Sequence, residues 1–140
     1  MKKKLLVKFF VLMLLLCDKG WGADFGIASW YSESDPGINI QTANGEVFDD
    51  SELTCASWDF PFGTYLRVTR LTNDQSITCR VNDRGPSKRL KRMIDLSKRS
   101  FEEIAPLRLG LIMVKVEVVP EKLLNQHIKT DRAKQHFHQN

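Results

Sequence analysis

A chain of 140 residues has room for one domain of ordinary size plus appendages. Its formal charge of +4 is carried entirely by residues 1–22, which hold five lysines and one aspartate, while the remainder balances 16 Lys and Arg against 16 Asp and Glu. The basic isoelectric point is therefore no argument for nucleic-acid binding, which would need a basic face on the folded domain.

Lys2, Lys3, Lys4 and Lys8 precede the unbroken apolar run Phe9 to Leu16. A charged segment followed by an apolar one too short to cross a bilayer reads as a secretory signal, with Gly20 and Gly22 as the small residues before cleavage at Ala23. A competing reading makes Cys17 a lipidated residue, but the position before it should be small and is Leu16. The expectation is thus a signal over 1–22, a domain over 23–119, and a protein exported to the periplasm or beyond. Membrane association would run only through the signal or a lipid on Cys17. In an oxidising compartment, Cys55 and Cys79 read as a disulfide closing a loop worth about 3 kcal/mol; two buried free thiols are the alternative.

Gly26 to Tyr31 is strand-forming, and Ser32 to Gln41, with Asp35-Pro36-Gly37 inside it, is a loop. Thr42 to Glu46 turns tightly about Asn44-Gly45, and Asp49 to Glu52 resembles the capped start of one helical turn. Leu53 to Ser57 is a second strand, Phe60 to Thr64 a turn, and Tyr65 to Leu71 alternates again. Asn73-Asp74-Gln75 closes a hairpin into Ser76 to Val81. Ser87 to Lys91 is a basic loop, Met93 to Ser97 starts another element, and Ser97 caps a helix over Lys98 to Ala105 with Phe101 and Ile104 inward. Leu111 to Val119 is the clearest strand, stopped by Pro120. About six short strands around one helix predict a small closed β-barrel. Residues 120–140 form a polar, weakly ordered tail.

The strand ending in Val81-Asn82-Asp83-Arg84-Gly85-Pro86 delivers a carboxylate to its own terminus, an arrangement suited to proton transfer and equally to a simple turn. All three histidines, His127, His136 and His138, fall in the tail. The barrel segment therefore holds no Ser-His-Asp triad, no Cys-His pair and no histidine zinc site, and no metal or cofactor is expected.

Taken in order, Gly26-x-Ala28-Ser29-Trp30-Tyr31, Thr42-Ala43-Asn44-Gly45-Glu46-x-Phe48-Asp49, Leu53-Thr54-x-Ala56, Pro61-Phe62-Gly63-Thr64-x-Leu66-x-Val68-Thr69, Val81 to Pro86 and Ile94-Asp95-Leu96-Ser97 resemble the rare lipoprotein A (RlpA)-like family. The resemblance implies a mainly β fold, a six-stranded double-psi β-barrel with one or two short helices, related to the catalytic-like domain of expansins. It implies lytic transglycosylase action on peptidoglycan glycan strands lacking stem peptides, cutting between MurNAc and GlcNAc and leaving a 1,6-anhydro ring. The family's functional carboxylates map onto Glu46 and Asp83.

On that basis Asp83 is the expected acid/base, Glu46 orients the sugar or stabilises positive charge, and Arg84 pairs with a substrate carboxyl or holds Asp83. Asp95 is expected to be structural. Trp30, Tyr31 and Trp58 are candidates to stack on sugar faces, with a core role as the alternative. One block departs from the family: its histidine after Leu-Thr-Ala-Ala is Ser57 here, followed by Trp58 and Asp59, to which substrate placement would pass. That departure leaves open a second reading, an expansin-like module that binds wall polysaccharide without cutting it. Either way a monomer is expected.

Overall fold

The computed structural model describes residues 22–125. Residues 1–21 of the signal segment, Cys17 among them, and the tail histidines lie outside the described residues. Six strands form: β1 (Asp24–Tyr31), β2 (Thr54–Ala56), β3 (Tyr65–Arg70), β4 (Ser76–Asp83), β5 (Ile94–Ser97) and β6 (Ile112–Val118). They close into a barrel in the order β1-β5-β2-β4-β3-β6, the six-stranded barrel expected.

Pairings of β1 with β5 and of β2 with β4 are parallel, and the other four are antiparallel. Parallel neighbours cannot be joined by a tight hairpin. The chain therefore crosses over the barrel twice, and residues distant in sequence become neighbours.

Alternation fills the interior. On β3, Leu66 and Val68 are buried while Arg67 is exposed, and β6 buries Ile112, Val114 and Val116. Ile77, Cys79 and Val81 on β4 and Ile94 and Leu96 on β5 complete the wall facing the core. The helix, α1, spans Lys98–Glu102 and is capped by Ser97, whose Oγ accepts from Ser100 N at 3.2 Å. Phe101 and Ile104 are fully buried, as expected. The helix is shorter than the predicted 98–105: Ile104 N and Ala105 N both turn back to the Phe101 carbonyl, and Pro106 keeps Ala105 out of helical geometry. Asp49 to Glu52 makes a turn and not a helix, with Ser51 N and Oγ on Asp49 Oδ1 and Glu52 N on Asp49 O.

One irregularity sets which side chains share a row across the barrel. Between β2 and β4 the register slips, so Cys55 pairs with Val81 but Ala56 with Asp83, leaving Asn82 as the extra residue of a bulge. Ala56 pairs on its other side with Asp95, and Asp95 with Ser29. Ser29, Asp95, Ala56 and Asp83 thus form one row across four adjacent strands.

Candidate active site

Glu46 is held by four donors. Arg80 Nη1 and Nη2 donate to Oε1 and Oε2 at 2.7 and 2.9 Å, Asn82 Nδ2 to Oε2 at 3.0 Å and Asn44 Nδ2 to Oε1 at 2.8 Å. The Arg80 hydrogen bonds, then those of Asn82 and Asn44, hold its carboxyl down to about 2. A carboxylate so fixed stays charged at any working pH and donates no proton. What it offers is a fixed negative charge.

Asp83 stands at the end of β4, half-buried. Its Oδ1 accepts from Ala43 N at 2.9 Å and from Arg84 N at 2.8 Å. Among the described residues Oδ2 has no hydrogen-bond partner. Because Ala43 belongs to the same turn as Glu46, and Asn82 beside Asp83 bonds Glu46, the two acids that are 37 positions apart share one face of the barrel.

A second group of ionisable side chains adjoins Asp83. Asp95 accepts a very short hydrogen bond from Ser29 Oγ on Oδ1, with Arg92 Nε 3.5 Å from the same oxygen. Burial raises its carboxyl above the ordinary aspartate value, the Ser29 bond and Arg92 oppose this, and the charge of Asp83 adds to it. Tyr31 feels the charge of both acids. Burial first, then the charges of Asp83, Cys55, Asp95 and Cys79, push its phenol far up, so it remains protonated. Its hydroxyl is buried without a hydrogen-bond partner, and its ring stacks on Phe48 with centroids 4.6 Å apart.

This geometry can be set against known proteins. The sequence profile of the lytic transglycolase family matches residues 24–116, which covers the barrel up to the last two residues of β6 and includes all three acids. The chain belongs to the RlpA-like lytic transglycolase family. It is 43% identical over 95 residues to the "Endolytic peptidoglycan transglycosylase RlpA" of Campylobacter jejuni, covering 67% of this chain and 33% of that protein. It is 38% identical over 114 residues to the protein of the same name from Rickettsia felis, covering 78% and 50%. The chain spans half or less of the length of these curated relatives. Among solved structures, a Streptomyces papain inhibitor superposes with a TM-score of 0.57 at 24% identity, covering 71% of this chain and 96% of that one. A Clavibacter michiganensis expansin follows with 0.56 at 20%, covering 71% and 52%. At such identities these two establish the double-psi fold alone.

Within this RlpA-like barrel the residues expected to touch substrate separate. Trp58 is half exposed, its Nε1 donating to Pro86 O at 2.7 Å and Lys88 Nζ lying 5.2 Å from its ring centroid. Asp59 beside it is exposed. Ser57, by contrast, is completely buried, and its hydroxyl accepts from Asp59 N. That corrects the expectation of substrate contact at Ser57: its place in the barrel wall, next to the Asp83 carbonyl that accepts its N–H, leaves it no surface. Trp30 is partly buried and packs as the core alternative described. Alternation along β1 turns it away from Tyr31 toward the helix, where Nε1 donates to Leu107 O and the ring tilts against Phe101. Tyr31 has one ring face covered by Phe48 and its hydroxyl buried, which removes that face as a platform for a sugar. Arg84 Nη1 donates to Ser57 O and Phe60 O at 2.7 and 3.0 Å, and the guanidinium stacks on Phe62 at 3.7 Å. It fastens the 57–62 loop.

Sequence reasoning overlooked Arg80, Asn44 and Ser29 as partners of the acids. The signal for Arg80 was available, since Thr78, Arg80 and Asn82 alternate with the core residues of β4. Glu33, Asp49 and Asp50 bring carboxylate oxygens within 4.8 Å of one another, but these oxygens serve Ser32, Ser51 and each other's backbone.

Proposed function

We propose that this domain is an exported lytic transglycosylase that cuts MurNAc-GlcNAc bonds in peptidoglycan strands free of stem peptides, leaving 1,6-anhydroMurNAc ends. The observation that carries the reading is the joining of Asp83 and Glu46 on one face through the Ala43 to Glu46 turn. Family membership and the names of the curated relatives support it. In the reaction the glycosidic oxygen is protonated as it leaves, positive charge grows on the muramic ring, and the 6-hydroxyl of that ring attacks the anomeric carbon. No protein nucleophile is needed. Asp83, with one oxygen fixed by two backbone N–H groups and the other unpartnered, handles protons at the scissile bond. Glu46, permanently charged, favours the oxocarbenium-like state electrostatically. Trp58 supplies an apolar face for a neighbouring sugar, and Asp59 is the exposed polar group beside it.

The setting rests on the sequence: residues 1–22 direct export to the cell envelope, with Cys17 a lipid site only if cleavage occurs before it. The domain acts as a monomer, and its neutral charge offers nothing to nucleic acid. The test is incubation of the protein with denuded glycan strands and mass spectrometry for anhydro-muramyl ends. Asp83→Asn should lower their release at least 100-fold while melting stays within a few degrees, since an amide oxygen still accepts both N–H groups. Absence of such ends under conditions where another transglycosylase works would refute the reading.

A specific observation favours a second reading. With Ser57 in the family's histidine position and an exposed tryptophan next to it, the face could grip glycan without cutting it. In that case the protein sediments with insoluble glycan, frees no soluble product, and Trp58→Ala weakens binding more than Asp83→Asn.

A further inference from the structure

Asp95 and Asp83 flank the same residue, Ala56, from opposite sides. Two strand spacings put their α-carbons about 10 Å apart, from which aspartates can bring their carboxyls to the roughly 5 to 9 Å separation of glycan-cleaving acid pairs. Each carboxyl is built the same way. Oδ1 is pinned, by Ala43 N and Arg84 N on Asp83 and by Ser29 Oγ on Asp95, and among the described residues Oδ2 of each accepts no hydrogen bond. Neither Oδ2 is among the buried polar atoms without a partner, so both are open to solvent. Gly85 lies over the row: a β-carbon there would stand 3.4 Å from the Ala56 Cβ and 3.6 Å from Asp95 Oδ2. A glycine at this point leaves that oxygen uncovered.

We propose that Asp95 is a second catalytic carboxyl, paired with Asp83 across Ala56, which gives its proton to the departing glycosidic oxygen while Asp83 takes the proton of the attacking 6-hydroxyl. The bond from the anomeric carbon to the leaving oxygen breaks with its electron pair on that oxygen, which receives the Asp95 proton. The bond to the 6-oxygen forms as Asp83 is protonated, and exchange with water returns both acids to their starting state. This rests on the transglycosylase reading and divides between two carboxyls the proton traffic that Asp83 would otherwise carry alone. Asp95 takes the donor role because burial disfavours its charged form. The charged and ionisable groups facing Asp95 are Tyr31 on β1, Asp83 on β4 and Arg92 on its own loop, while β2 contributes the uncharged Ala56.

The experiment measures release of anhydro ends from denuded glycan by the full chain across pH 4 to 8. Asp95→Asn should lower the rate about 100-fold or more and abolish the alkaline limb of the profile. Ser29→Ala keeps the carboxyl but removes a hydrogen bond that favours its ionised form, so the limb should move to higher pH; this variant serves if Asp95→Asn fails to fold. Wild-type rate with an unchanged limb in a folded Asp95→Asn, or an unmoved limb in Ser29→Ala, overturns the proposal. If the wild-type protein releases no anhydro ends, the transglycosylase reading fails, and the pair is judged by carboxyl NMR titration. Asp83→Asn should then lower the Asp95 midpoint, and an unchanged midpoint refutes the pairing.

Discussion

Arg80 holds both oxygens of Glu46, at 2.7 and 2.9 Å, from a position two residues before Asn82 on the same strand. The bidentate grip turns a candidate acid into a permanent anion.

Glu46→Gln should therefore lower turnover about 100-fold without moving either limb of the pH profile, because the group does not titrate in the working range. Stability carries a second signature. The folded carboxyl sits at about 2, below its ordinary 4.5. Its contribution is present above pH 4.5 and lost as pH falls toward 2. With the side chain 38% exposed, screening keeps that contribution to roughly 1 kcal/mol or less. Acid unfolding of Glu46→Gln should be flatter than wild type between about pH 4.5 and 2, and a steeper curve would contradict the assignment.

Cys55 and Cys79 place their sulfurs 2.6 Å apart in the fully buried core, with both thiols free in the structure. Burial raises the Cys55 thiol, so little thiolate forms once the barrel has closed. We expect oxidation during folding outside the cytoplasm. Exported protein unfolded in denaturant should react with no thiol reagent, and reduction should cost about 3 kcal/mol, seen as a melting point about 10 °C lower. Two reactive thiols in exported protein would exclude the bridge.

Gly26 tests the packing of β1 against the loop before β5. A β-carbon there would fall 2.7 Å from the Met93 Cε and 2.9 Å from its Cβ. The Met93 Cε can swing away, but its Cβ cannot without moving a backbone tied by Met93 N to Ile27 O. Gly26→Ala should lose about 1 to 3 kcal/mol in chemical denaturation. A neutral result would show that the loop shifts freely.

Much of the barrel was legible in the chain because alternation is a local property. Leu66 and Val68 around Arg67, the run from Ile112 to Val118, and Ser97 before Phe101 declare their elements without reference to anything distant. Asp83 was readable as a carboxylate at the end of its strand, whereas Glu46 stood out only through the family resemblance. The length of α1 was not, because its end is set by Pro106 acting on Ala105 and by the tertiary seat of Ile104.

The aromatic residues show where local pattern stops. Trp30 and Trp58 are equivalent as residue types, yet one is spent against Phe101 and Leu107 while the other projects from a loop beside Asp83. Burial depends on what packs opposite, which no window of sequence contains.

By itself the sequence determined the strands, the cap of the helix and the family. The tertiary structure alone decided which side chains meet. A single extra residue at Asn82 slips the pairing of β2 with β4, so that Asp83 and not Asn82 lines up with Ala56 and Asp95. Side chains alternate along a strand, and a shift of one position exchanges its two faces. That register is settled only when parallel strands from distant parts of the chain close the barrel.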